Sequence, residues 1–203
     1  MLLTRVMMMV FAMTLGLAVS TGVFAQDSVD DILEKARAEA AEIEKLKKIL
    51  NEEPDQNVRL AAFGLMIKDS NSTMHEIAVE AGLASADKLL QAAAFKEAIM
   101  SLERIHLTFV VDQDASDAIQ KRSQEYIDTN GDQYIIPLGK KDHEAGTFSS
   151  GYHSGEVTGT HLTYVYTQSN GMFSLKDDNA ISGDMMLNVR KENLKFVASG
   201  KIR

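Results

Sequence analysis

Apolar and polar residues change rhythm once along this chain. Over residues 27–105 apolar side chains recur every three or four positions, in sequence rich in Ala, Leu, Glu and Lys. Over residues 106–203 they alternate at every second position, among Gly, Thr, Ser and Tyr. The first period keeps one face of a helix apolar and the second keeps one face of a strand apolar. The pattern therefore predicts an α+β protein: a helical unit of about four helices over 26–105, then an antiparallel β-meander over 106–203 folding as a small sandwich or barrel.

The first helix is expected from Val29 to Leu50, capped by Ser28 with Asp31 three residues on, and stopped by Pro54. Val29, Leu33, Ala36, Ala40, Ile43 and Leu50 fall on a four-three spacing that Lys47 interrupts. Such a seam serves either a dimerisation helix or a helix laid on its own domain, and the docked helix is the expectation. Three shorter helices follow at about 55–68, 72–82 and 86–102. Asp55, Ser72 and Ser85 are the expected N-caps, and Gly82 stands at the end of the second.

Asp55-Gln56-Asn57-Val58-Arg59-Leu60-Ala61-Ala62-Phe63 resembles the first helix of a HEAT-type repeat, in which an acidic residue caps the helix before a Val-Arg pair. Asp87, Ala93, Ala94, Phe95 and Ile99 echo Asp55, Ala61, Ala62, Phe63 and Ile67 at a constant offset of 32 positions. Gln91 stands where the echo of Arg59 would fall. The resemblance is confined to 55–102, at most one and a half units. It implies stacked helices that bind proteins over their surface and carry no catalysis.

In the second half, Leu107 to Val111 reads as a strand, and Asp112 to Ser116 lead into a short helix with Ala115, Ala118, Ile119 and Tyr126 on one face. Asn130-Gly131 signals a hairpin turn before the alternating Tyr134, Ile136 and Leu138. Leu162, Tyr164 and Tyr166 share a face, as do Ile181, Gly183, Met185, Leu187 and Val189, and then Leu194, Phe196, Ala198, Gly200 and Ile202. Ser169-Asn170-Gly171, Asp177-Asp178-Asn179 and Lys191-Glu192-Asn193 are the expected turns between these strands.

Composition adds a compartment. Arg5, an apolar run from Val6, and the small residues before Ala25 form the three-part layout of a secretory signal over 1–25, with a cut after Ala25. An uncleaved anchor of that length is the rival, and Gly16, Ser20, Thr21 and Gly22 favour the cut. The chain has no cysteine, which excludes disulfides and thiolate chemistry. An exported chain without disulfides points to the bacterial periplasm or to secretion. The 21 basic residues against 29 acidic ones give a net charge of −8 with no basic stripe, which argues against nucleic acid and, after signal cleavage, against the membrane surface.

Candidate chemistry is sparse. Asp128-Thr129-Asn130-Gly131-Asp132 opens like a calcium loop, but Gln133 and Gly139 occupy the places of the required Gly and Glu. His143, His153 and His161 lie in the sheet half without the close spacing of zinc ligands. His75-Glu76 starts a zinc-protease pattern that Val79 breaks. In Gly151-Tyr152-His153-Ser154-Gly155 the serine is one place late for a nucleophile elbow, and a loop is expected there. No residue is assigned a catalytic, cofactor-binding or metal-ligating role, and no cofactor is implied. The expected function is a non-enzymatic, exported protein of the bacterial envelope that binds a protein partner through its helical half; a homodimer is not favoured. The alternative is a β module holding a small apolar ligand or a glycan with Tyr152, Tyr164, Tyr166 and Phe173.

Overall fold

A computed structural model describes residues 29–69 and 71–202 of the chain. The expected signal and the Ser28 cap lie outside these residues. Among the described residues five α-helices are present: α1 (Val29–Glu52), α2 (Gln56–Lys68), α3 (Ser72–Leu83), α4 (Lys88–Ser101) and α5 (Asp117–Asn130). The strands are β1 (Arg104–Val111), β2 (Gln133–Pro137), β3 (Lys140–Asp142), β4 (Thr147–Ser150), β5 (His153–Thr158), β6 (His161–Tyr166), β7 (Ser169–Lys176), β8 (Ala180–Val189) and β9 (Glu192–Lys201). The chain divides into two compact units within α1, after Glu39. In the described part of the first unit, Val29, Ile32 and Leu33 are exposed. In the second, Ile43, Leu46 and Ile49 pack on the core and Leu50 is buried, so the expected docking of this helix holds for its second half. No helix among the described residues is long and apolar enough to cross a membrane.

Helices α2, α3 and α4 start where a side-chain acceptor meets their first free N–H groups. Asp55 accepts from the Asn57 N–H at 2.8 Å, as expected. The other two caps differ from expectation by a residue or two. Asn71, rather than Ser72, accepts from the Thr73 N–H. Asp87, rather than Ser85, accepts from the Leu89 N–H, while the Ser85 hydroxyl accepts from Asp87. In each case the residue with extended backbone before the first turn aims its oxygen at the orphan donors. Gly82 does more than end a helix: a Cβ there would stand 2.5 Å from the Cβ of Ala94, so its bare face lets α3 and α4 pack closely.

All nine strands form one antiparallel sheet in the order β2-β1-β9-β8-β7-β6-β5-β4-β3. Strands β3 to β9 are the expected meander. The first two strands depart from it, because α5 intervenes between them and β1 closes against both β2 and β9. Flat, nine strands would span about 38 Å. Yet β2 and β3, the two edges, are joined by Leu138 and Gly139 alone, a reach of about 11 Å. The sheet must curl, and it does so as a half-barrel with its apolar alternation inward. That face carries Ile105, Leu107, Phe109, Phe148, Leu162, Tyr164, Phe173, Met185, Leu187 and Phe196, all buried and continuous with Phe63, Leu90, Phe95 and Ile99 of the helices in one core.

Three expected turns are corrected. Asn130-Gly131 ends α5 instead of making a hairpin, with Gly131 as the C-cap at φ 86°. Ser169-Asn170-Gly171 lies within β7, and Gly171 is required there because a Cβ would press to 2.6 Å from the Phe173 ring. The last hairpin turns at Arg190 and Lys191, both at positive φ, rather than at Lys191-Glu192-Asn193. On α5, Ala118 is exposed, and Ser123 is the buried residue, accepting from the Lys195 N–H of β9 at 3.2 Å.

Candidate functional site

The apolar hollow of the half-barrel holds one chain of polar groups. Alternation turns His153, Tyr164, Tyr166, Ser169 and Tyr134 inward from β5, β6, β7 and β2. The curl then brings Tyr134, at one edge, across the hollow to the opposite wall. Its hydroxyl lies 2.9 Å from that of Tyr164 and 2.8 Å from that of Ser169. The Tyr164 hydroxyl also meets His153 Nδ1 at 2.6 Å. His153 stacks on Tyr166 with ring centres 4.2 Å apart and planes within 8°. Phe109 stacks between Tyr134 and Phe196, which fixes the Tyr134 ring from the far side.

Burial, reinforced by the bond to Tyr134, pushes the Tyr164 phenol well above the usual tyrosine range. It stays protonated and serves as a hydrogen-bond relay between His153 and Tyr134. Ser169 meets phenol hydroxyls rather than the imidazole, so no base adjoins it directly. The described residues contain no buried side-chain nitrogen or oxygen without a partner. The chain of hydroxyls is thus a satisfied network that locks the edge strand to the opposite wall.

The aromatic residues expected to hold a small ligand are dispersed by the same geometry. Tyr164 and Phe173 are fully buried in the core, Tyr166 is covered by His153, and Tyr152 stands 83% exposed on the β4–β5 turn. Gly151 and Tyr152 form that turn, while Ser154 already belongs to β5 and points opposite to His153. The three sheet histidines do not meet. His153 faces the hollow and His161 lies on the outer face, whereas His143 comes within 3.9 Å of Glu97 on α4. Glu97 also takes His75 Nε2 at 3.0 Å, a meeting of α3, α4 and the β3–β4 turn that sequence spacing did not reveal. Asp128 and Asn130 of the calcium-like loop sit in the last turn of α5, where Asn130 donates to the Tyr126 carbonyl and Gln124 to Asp128. Among the described residues no group of three His, Asp or Glu side chains is arranged to hold a metal ion.

The second polar centre joins the helices. Arg59 on α2 donates from Nε and Nη2 to Asp87 Oδ2, at 3.1 and 2.5 Å, and from Nη1 to the Glu53 carbonyl. Gln56 donates to Asp87 Oδ1 at 2.8 Å. The Arg59 guanidinium, with smaller help from Gln56 and the Leu89 and Leu90 N–H groups, outweighs partial burial and holds the Asp87 carboxyl at about 2. One carboxylate therefore caps α4 and ties it to α2. No protein-family model matches this chain, nor does any curated protein or solved structure.

Proposed function

We propose that this is a non-enzymatic, exported protein of the bacterial envelope that binds a protein partner through its helical half. One observation carries the reading. Val58, Ala61 and Leu65 lie along one face of α2 at helical spacing and face solvent, with Leu65 70% exposed. Thirty-two positions on, at the echoing sites of α4, Leu90 is fully buried, Ala93 is half-buried, and Glu97 stands half-buried in the place of Leu65. The face that the molecule covers on one helix is left open on the other, and an exposed apolar stripe on a regular element suits a partner's surface. The filled hollow of the half-barrel supports surface binding over the enclosed ligand site of the alternative reading.

Export is tested by mass spectrometry of the extracytoplasmic fraction, which should find an amino terminus at Gln26. Met1 retained on membrane-bound material would contradict it. The binding face is tested with a photo-crosslinker placed at position 65, or at Met172 on the outer face of β7, in the intact exported protein. A single discrete adduct from position 65 and none from position 172 is expected. Equal labelling from both positions would count against the helical face.

A further inference from the structure

A cleft of about 630 Å³ lies between α5 and the β8–β9 hairpin. Its apolar lining comes from Tyr126, Val189 and Leu194, and its charged lining from Arg122, Glu125, Arg190 and Glu192. Arg122 and Glu192 form an ion pair with each other, which neutralises one cation and one carboxylate. The side chains of Arg190 and Glu125 have no hydrogen-bond or ion-pair partner among the described residues, and they do not pair with each other. Among the described residues the cleft therefore presents one free cation and one free carboxylate, unpaired with each other, beside apolar side chains.

The backbone supplies a second observation. Arg190 and Lys191 turn the hairpin at φ 53° and 72°, a conformation that two-residue hairpins ordinarily assign to Asn and Gly. Non-glycine residues are held there at a conformational cost, and such positions concentrate at ligand clamps. Here that conformation places Arg190 beside the cleft.

We propose that this cleft binds a short apolar peptide with free termini, its carboxylate on Arg190, its ammonium on Glu125 and its side chains against Tyr126, Val189 and Leu194. Two ligand charges of opposite sign complement the two protein charges, whereas a purely anionic or cationic solute would leave one of them unpaired. A volume in the range of small-ligand clefts accommodates two or three residues. This proposal is independent of the partner face on α2.

The experiment is calorimetric titration of leucyl-leucine into the signal-free protein at low salt, alongside Arg190→Gln and Glu125→Gln. Saturable binding is expected, weakened about tenfold by each substitution, the scale of losing one charge-assisted hydrogen bond. The same peptide acetylated at its amino end should bind the unsubstituted protein about tenfold more weakly and should be indifferent to Glu125→Gln. Absence of saturable heat up to about 10 mM peptide overturns the proposal. So does binding that neither substitution alters, or an acetylated peptide that binds as well as the free one.

Discussion

Arg59 and Asp87 lie 28 positions apart, yet two guanidinium nitrogens converge on a single carboxylate oxygen, joining the first turns of α2 and α4. The carboxyl is held down from its ordinary 3.8 to about 2, so the folded state binds this proton less readily than the unfolded chain. Its contribution is present above pH 4 and is lost as the pH falls from about 4 toward 2. Asp87→Asn keeps a good helix cap and removes the charge. It should lower the melting temperature at pH 7 and flatten the decline between pH 4 and 2. A parallel decline in both proteins would show that the pair contributes no pH-dependent stability.

Gly183 on β8 faces the hollow so close to the Met172 carbonyl of β7 that a Cβ would penetrate it. Backbone cannot yield as a flexible side chain does, so Gly183→Ala should destabilise by about 1–3 kcal/mol. Gly64, inside α2 with open space around it, is the control: Gly64→Ala should be neutral or stabilise by up to about 1 kcal/mol. Chemical denaturation of the two variants compares them directly, and the reverse order would refute the inward placement of Gly183.

Leu187 is buried on the inner face of β8, while the Asn188 amide donates to Asn193 Oδ1 at 2.7 Å on the hairpin's outer side. Leu187→Asp should cost several kcal/mol, a large part of an ordinary domain's stability. Asn188→Asp should cost about 0.5 kcal/mol. Thermal unfolding of the two side by side checks the register, because a slip of one residue would exchange the outcomes.

Tyr134→Phe leaves Tyr164 and Ser169 each one partner short and should cost about 1–3 kcal/mol. Because the Tyr164 phenol is pushed up in the folded state, its contribution is full below about pH 10 and is lost as the pH rises above that. Ultraviolet titration should show one tyrosine that ionises only as the protein unfolds in alkali, and Tyr164→Phe should abolish that component. Retention of it would reassign the buried phenol.

Much of this fold is legible in the sequence. The periods of 3.6 and 2 locate the helices and most inward strand residues, since each reports which side of its own element is buried. Position 171 misleads because glycine serves two purposes: in the sequence it reads as a turn, and in the fold its missing side chain makes room for Phe173. Arg190-Lys191 misleads oppositely, as a tight turn without the residues that favour one. Tyr134 and Tyr164 are both readable as inward residues, but their meeting is not, because it depends on β1 pairing with β9 and on the curl that follows. The Glu97 meeting with His75 and His143 is likewise a product of packing among three elements.

The proposed role rests on the claim that the open face of α2 engages a protein partner. The most direct measurement is the affinity of the isolated crosslinked partner for three proteins: unsubstituted, Leu65→Glu, and Met172→Glu. Leu65 is exposed, so its replacement should leave the melting temperature within about a degree while weakening the partner at least tenfold, with Met172→Glu unaffected. Equal affinity for all three proteins, with Leu65→Glu fully folded, would contradict the claim.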